Sequence, residues 1–375
     1  MLTTAIVLLL VLTAYYSWFL LRARAGLRNL EPGDERILPT ALVSVVIAAR
    51  NEEHTIGTCI QSVVRQSYPH ENFEVIVVDD HSSDRTAEIV SNIAAAYDNV
   101  HLVALSSGTT SEGGKPEAIA RGVGAARGEI ILTTDADCTV SPEWIASIVR
   151  YFRPDVAFVA GPVRISPETN LLSRLDSLEV FGLLTMAAGL IGAHHPIIAN
   201  GANLAYRKSA FQSVGGYGDG RTWCDDETIM HRIHARQLGR IVFAHGVGTE
   251  AITAPSSTLG SFLRQRLRWS TSGGRYDDTS ILLSLVVLYA YFLVFSVLVL
   301  ATAFVPALAS WLVLSFIIKV ITDVVTLGAG RKVLHGTVAW SIVAFAEILH
   351  VPYVLVTAAL GQFVSFSWKG RTLNA

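Results

Sequence analysis

The chain has 375 residues, of which 51% are hydrophobic and only 16% charged, with a mean hydropathy of +0.44. That balance argues against a wholly soluble protein, and a formal net charge of −2 argues against nucleic acid as the main partner. Three scattered cysteines, Cys59, Cys138 and Cys224, have no metal-ligand spacing and read as reduced thiols.

Taken in chain order, the first element is an apolar run from Leu2 to Leu21 without a charge. About 20 residues at roughly 1.5 Å rise each cross a bilayer core. Arg22, Arg24 and Arg28 follow the run rather than precede it, so residues 1–22 read as an uncleaved anchor with its basic flank in the cytoplasm. From Pro39 to Gly274 short apolar runs alternate with amphipathic ones, the pattern of an α/β domain with a mainly parallel sheet. Leu42–Ala49, Glu74–Val78 and Ile130–Thr134 read as buried strands, and Glu53–Gln66, Asp84–Tyr97 and Lys115–Arg127 as helices between them.

Residues 280–368 are the expected C-terminal transmembrane part. Ser280 to Ile318 carries no charge and is too long for one span, so it reads as a helical hairpin turning near Val305-Pro306. The stretch 338–366 contains Glu347, His350 and Pro352, and a basic loop, Arg331-Lys332, precedes it. The tail Trp368-Lys369-Gly-Arg371 reads as cytoplasmic by charge, which three simple spans would not allow. A broken last helix, part re-entrant or interfacial, would reconcile the two signals.

Chemistry-bearing residues gather where strands end, the place where ligands bind in open α/β sheets. Glu52 lies just after the first strand, and Asp79 and Asp80 end the second. A carboxylate there can accept a base imide N–H or ribose hydroxyls, and two adjacent acids leaving a buried strand repel unless something binds them. Asp84 reads as a cap for the next helix. Asp135-Ala136-Asp137 follows the third strand, and residues two apart on an extended chain point the same way. Paired hard oxygens suit Mg²⁺ or Mn²⁺ with open positions for diphosphate oxygens. Gly113-Gly114-Lys115 opens a helix with flexible backbone and a cation.

Asp225-Asp226-Glu227 precede an apolar helical stripe of Ile229, Ile233 and Leu238. Three acids exceed what dipole compensation needs, so one is a candidate base for an acceptor hydroxyl and a second its orienter. Gln265-Arg266-Leu267-Arg268-Trp269 lies on an amphipathic segment just before the hairpin. Arg268 could clamp a departing diphosphate, while Trp269 stacks on a sugar or packs at the interface.

In this order the motifs resemble family 2 glycosyltransferases of the GT-A (nucleotide-diphospho-sugar transferase) fold, a group with cellulose, hyaluronan and chitin synthases and membrane lipid glycosyltransferases. The resemblance covers nearly the whole domain. It implies that Asp79 and Asp80 bind the uridine of a UDP-sugar, and that Lys115 helps hold the nucleotide. Asp135 and Asp137 would form the DxD motif for diphosphate and metal, and Asp226 the catalytic base with Asp225 beside it. Gln265, Arg268 and Trp269 match the QxxRW motif near diphosphate and acceptor, and Gly201-Ala202-Asn203 matches a region near the acceptor. The usual Glu-Asp pair reads Asp225-Asp226 here.

The expected function is inverting transfer of a hexose from a UDP-sugar to a membrane lipid hydroxyl, by a multi-pass membrane protein whose catalytic domain is cytoplasmic. A processive polysaccharide synthase acting on a growing glycan is the alternative. Homo-oligomerisation would supply the additional helices that such a synthase needs.

Overall fold

A computed structural model describes residues 2–105, 114–217, 225–270, 278–361, 366–368 and 371–373. Gly113, Cys224 and Lys369 lie outside the described residues. The chain starts with α1 (Leu2–Gly26), followed by β1 (Val43–Ala49), α2 (Ile56–Val64), β2 (Phe73–Asp79), α3 (Thr86–Ala94) and β3 (Val100–Ala104). Next come α4 (Gly114–Ala125), β4 (Ile130–Thr133), β5 (Cys138–Val140), α5 (Trp144–Val149), β6 (Val156–Ala160) and β7 (Val163–Ile165). α6 (Leu171–Gly192), β8 (Leu204–Arg207), α7 (Lys208–Ser213), α8 (Asp225–Ala235), β9 (Arg240–Phe243) and β10 (Ala251–Thr253) complete the middle of the chain. The last elements are α9 (Leu259–Ser270), α10 (Thr279–Ala301), α11 (Leu308–Leu334), α12 (Trp340–Leu360), β11 (Phe366–Trp368) and β12 (Arg371–Leu373).

These elements form two compact units. The sheet unit comprises Asn29–Pro167 and His194–Pro255; the helical unit comprises Met1–Arg28, Glu168–Ala193 and Ser256–Ala375. In the sheet unit seven strands run in the order β3-β2-β1-β4-β8-β6-β9. β1 pairs in parallel with β2 and β4, β2 with β3, and β6 with β9. Only β8 runs against its neighbours β4 and β6. Near-continuous apolar runs such as Phe73–Asp79 are buried along their whole length, as strands covered on both faces require. Ala49 pairs with Asp79, so β1 and β2 finish at one edge and their following loops share it. A smaller sheet, β5-β10-β7, starts directly after the Asp135–Asp137 segment.

The three expected strands coincide with β1, β2 and β4, whereas α2 and α3 begin later than expected. Residues before Ile56 and Thr86 are spent on loops, where their polar groups bond across β1 and β2 instead of starting a helix.

In the helical unit α1 packs against α6, α10 and α11, and α12 packs against α9 and α10. Among the described residues five helices, α1, α6, α10, α11 and α12, are long and apolar enough to cross a membrane. The expected turn near Val305-Pro306 separates α10 from α11. The expected break in the last helix is not found: α12 runs unbroken with Pro352 inside it. Apolar helices tolerate proline because neighbours and local adjustments compensate for the missing bond. In the sequence only the second half of α6, from Phe181, is a plain apolar stretch. Arg174, Asp176 and Glu179 disguise its first half, and it groups with the helical unit together with α9.

Candidate active site

At the shared edge of β1 and β2, Asp80 N–H donates to Ala49 O at 2.8 Å and Arg50 Nη1 donates to Asp80 O at 2.8 Å. Asn51 and His81 hold left-handed backbone, with φ of 52° and 57°. These conformations bring the two loops face to face, so that Ser82 Oγ accepts from Asn51 N–H and Asn51 Oδ1 accepts from Ser83 N–H. Asp79 and Asp80 are both buried. Asp80 Oδ1 lies 3.0 Å from His81 Nδ1, whereas Asp79 Oδ1 is buried and accepts no hydrogen bond from any described residue. A buried carboxylate oxygen without a donor is costly, and an incoming N–H or O–H would relieve it.

Glu52 takes a local role, with its Oε2 accepting from Thr55 Oγ1 at 3.0 Å and its N–H donating to Thr86 Oγ1 at 2.7 Å. Asp84 accepts from Thr86 N–H, Thr86 Oγ1 and Glu53 N–H. Burial would raise its carboxyl, but these donors hold it below the ordinary carboxylate value.

The Asp135–Asp137 segment corrects an expectation about local geometry. β4 ends at Thr133 and a turn carries both acids into β5, so strand alternation does not align them. They converge all the same: oxygens of Asp135 and Asp137 and the thiol of Cys138 lie within 4.8 Å of one another. Burial, reinforced by the Asp135 and Asp137 carboxylates, pushes the Cys138 thiol up; Cys59, which reaches Asp135 O at 3.4 Å, is pushed up in the same way. The two hard carboxylates fit Mg²⁺ or Mn²⁺.

Lys115, at the start of α4, pairs with Asp135 at 2.6 Å. Its neighbour across the site is Gly201, whose N–H donates to Asp226 Oδ2 at 2.9 Å. A Cβ at Gly201 would sit 2.8 Å from Lys115 Nζ and 3.6 Å from Asp226 Oδ2. The absence of a side chain there lets the Lys115 ammonium, the Asp135 carboxylate and the Asp226 carboxylate approach one small volume. Asp226 Oδ1 accepts from Glu227 N–H, which leaves the carboxylate oriented at the start of α8. Asp225 is the first residue of that helix, and its side chain lies outside the described part of the structure.

Asn203 plays a different part from the one its neighbourhood suggests. It is buried; its Nδ2 donates to Pro162 O and Thr249 O, both at 2.7 Å, and its Oδ1 accepts from Trp144 Nε1 at 3.0 Å. An amide engaged on both ends holds the loops that carry Gly201, and has no hydrogen left for an acceptor.

Gln265, Arg268 and Trp269 lie on α9 in the helical unit. The unexpected member is Arg266 between them. It is 2% exposed, pairs with Asp176 and, at 2.7 Å, with Glu179, and its guanidinium covers the Phe262 and Trp269 rings at 4.3 and 4.4 Å from their centroids. One face of Trp269 is therefore taken by Arg266. The signal in the sequence is the pair of acids Asp176 and Glu179, three apart on a mainly apolar helix, which when buried require a cation.

Comparison with known proteins follows the same outline. The model of glycosyl transferase family 2 matches residues 44–215, and that of glycosyl transferase family group 2 matches residues 130–368. The chain belongs to glycosyltransferase family 2. A beta-monoglucosyldiacylglycerol synthase of Synechocystis sp. is 30% identical over 257 residues, 66% of this chain and 51% of that protein. A poly-beta-1,6-N-acetyl-D-glucosamine synthase of Staphylococcus epidermidis is 27% identical over 241 residues, 62% of this chain and 54% of its own. This chain thus spans about half the length of the curated relatives it matches. The mannosyltransferase PcManGT from Pyrobaculum calidifontis, solved with GDP-Man and Mn²⁺, superimposes with a TM-score of 0.58 at 20% identity, covering 96% of this chain and 98% of that one. That likeness shows the fold: an α/β GT-A domain accompanied by apolar helices that fit transmembrane segments.

Proposed function

We propose that this protein is an inverting hexosyltransferase that moves a sugar from a UDP-sugar to the hydroxyl of a membrane lipid on the cytoplasmic face. The observation that carries the reading is the convergence of Lys115, Asp135 and Asp226 on Gly201, together with the two buried acids, Asp79 and Asp80, at the end of β2. Residues 39–274 supply the chemistry, with 1–22 and 280–368 as membrane segments.

Asp79, through its donorless oxygen, and Asp80 take the base and ribose. Asp135 and Asp137 would hold Mg²⁺ or Mn²⁺, which when bound offsets the charge on the diphosphate. Lys115 exchanges its pairing with Asp135 for the phosphates, and Arg268 adds a second cation. Asp226, held by Gly201 N–H, takes the proton of the acceptor hydroxyl as that oxygen attacks the anomeric carbon and UDP departs from the opposite face. Asp225 assists in orienting the base.

The lipid reading is supported by the diacylglycerol relative, and the polysaccharide alternative by the poly-N-acetylglucosamine relative. Incubating the protein in native lipids with several radiolabelled nucleotide sugars separates them. Organic-extractable label supports the lipid acceptor; label in size-excluded polymer replaces it with processive synthesis. In the same assay Asp226→Asn should transfer about 10²–10⁴-fold more slowly while binding UDP as the parent does. Normal turnover by that variant together with a dead Asp225→Asn would move the base by one residue. Asp135→Ala and Asp137→Ala should abolish Mn²⁺-dependent UDP binding, measured by calorimetry, and full binding in excess chelator would refute the metal assignment.

A further inference from the structure

The helical unit leaves cations over when its acids are assigned. Asp176 and Glu179 pair with Arg266, and Asp323 and Glu347 with Lys319. Glu168 accepts from Ser177 Oγ at 2.6 Å, and Asp278 caps α10 by accepting from Ser280 N–H at 2.8 Å. These are all the acids of the unit among the described residues. Arg22, Arg24 and Arg28, at and just beyond the end of α1, and Arg331 and Lys332, at the end of α11, pair with none of them.

These cations gather at one end of the helices. Thr13 and Ser315 meet at 2.8 Å and Tyr16 and Asp323 at 2.7 Å, so α1 and α11 run side by side in the same direction. Arg24 lies eight residues after Tyr16 and Arg331 eight after Asp323, which at about 1.5 Å per residue brings both to the same height. One cation in a last turn offsets a helix dipole; Arg24 and Arg28, four residues apart, also repel each other. Arg24 is half-buried, and its Nε is buried and donates to no described residue. A guanidinium N–H withdrawn from water without an acceptor is costly, and an anionic oxygen would relieve it. Further towards the middle of α1, Trp18 is 52% exposed and has the Arg22 guanidinium 5.7 Å from its ring centroid. Tryptophan beside arginine suits the layer between lipid tails and headgroups.

We propose that the ends of α1 and α11 bind the headgroup of an anionic phospholipid, with the Arg24 guanidinium donating to its phosphate and Arg331 and Lys332 drawing negative lipid to the same edge. This rests on the reading of α1 and α11 as membrane segments. A lipid phosphate offers paired oxygens that suit the fork of an arginine, and the exposed Val11 of α1 and Ile321 of α11 give its acyl chains an apolar surface. The charge bias that orients a membrane protein counts lysine and arginine alike. A phosphate site built on Arg24 does not, and that separates the two.

Thermal unfolding of the full-length protein in dodecyl maltoside tests it, with dioctanoyl phosphatidylglycerol, dioctanoyl phosphatidylcholine or inorganic phosphate added. Phosphatidylglycerol should raise the midpoint saturably, while the other two at the same concentrations should not. An equal rise with phosphatidylcholine would overturn the recognition of negative charge, and an equal rise with inorganic phosphate would overturn the lipid in favour of a free anion. Arg24→Lys keeps the charge and loses the fork, so the apparent affinity for phosphatidylglycerol should fall about tenfold, the loss of one hydrogen bond to a charged group. Its midpoint without lipid should match that of the parent. An affinity within about twofold of the parent would show that charge alone is at work there, and a lowered lipid-free midpoint would show that Nε is used inside the fold; either result overturns the site. Arg331→Gln, at an exposed position, removes one charge and should weaken binding about fivefold. Unchanged binding by that variant would overturn a site shared by the two helices. A chain recovered from cells in the soluble fraction would remove the membrane reading itself, a different failure from any of these.

Discussion

The two units bury opposite things. In the sheet unit the interior is a continuous apolar cluster running from Val43 and Val75 through Ile60, Trp144 and Phe152, and charges are kept mainly to the strand ends. In the helical unit the outward surface is the apolar part, with Leu283, Leu300, Phe304 and Ile348 exposed, while Lys319, Asp323, Glu347 and Arg266 are buried. The difference follows from the solvent each unit meets. Water drives apolar side chains together in the sheet unit. Lipid tails are as apolar as leucine, so helices that face them gain little from apolar contact and associate through close packing and polar bonds.

Lys319 shows the second strategy at full strength. It is fully buried on α11, and its ammonium reaches Asp323 at 2.7 Å, Glu347 of α12, and His350 Nδ1 at 3.0 Å. Asp323 also accepts from the Tyr16 hydroxyl of α1 at 2.7 Å, and Thr13 and Ser315 bond at 2.8 Å one turn away. Three donors of one ammonium find three acceptors, so the cluster is satisfied and fixes α1, α11 and α12 in register. The largest expected effect is therefore Lys319→Met, which leaves two carboxylates buried without a cation. It should destabilise the helical unit by about 3–5 kcal/mol in a detergent or nanodisc unfolding assay. Combining it with Asp323→Asn and Glu347→Gln should recover most of the loss. A Lys319→Met protein as stable as the parent would break the contrast between the units.

The second expected effect concerns close packing without charge. Where α1 crosses α6, a Cβ at Gly26 would lie 1.9 Å from Gly189 O, and one at Gly189 would lie 2.3 Å from Ala23 O. Backbone meets backbone there, and no side chain can move aside. Gly189→Leu should separate the two helices and cost about 1–3 kcal/mol, read as a lower unfolding midpoint and faster proteolysis of α1. An unchanged midpoint would mean that this crossing contributes nothing to the association of the helices.

The same contrast explains what could be read from the sequence. Strands β1, β2 and β4 were legible because an apolar run between polar loops has one meaning in a sheet covered on both faces. Asp79, Asp80, Asp135, Asp137 and Asp226 stand out in the sequence because clustered acids at strand ends and helix starts repel one another unless something offsets their charge. α6 does not, since Asp176 and Glu179 interrupt its apolar pattern; their partner, Arg266, lies 90 residues from Asp176 in the chain. Lys319 was hidden in the same way, as the residue that appeared to end a charge-free run. Convergence of Gly201 on Lys115 and Asp226 depends on a loop held by contacts distant in sequence, among them Asn203 with Trp144 and Pro162, and Thr133 with Gly201. Local pattern carries elements and their edges, but long-range polar pairs leave no periodic trace.

The smallest expected effect tests the exception in the sheet unit, where one acid is buried away from the site. Glu74 on β2 accepts from Ser44 Oγ at 2.6 Å, from Arg127 N–H at 2.6 Å and from Arg127 Nε at 2.8 Å. Burial alone would raise its carboxyl, yet these donors hold it below the ordinary carboxylate value. A depressed folded-state value means that the carboxylate stabilises the fold above its unfolded value, near pH 4.5, and that this contribution is lost as pH falls through the lower folded value. Glu74→Gln keeps the shape but turns an amide N–H₂ towards donors, so it should cost about 1–3 kcal/mol at neutral pH. As pH falls below 4.5 and through the lower folded value the parent loses its own advantage, and the stabilities of the two proteins should converge. A gap that stays constant from pH 7 to pH 3 would show that Glu74 acts by packing and not by charge, which would bring it under the apolar rule of its unit.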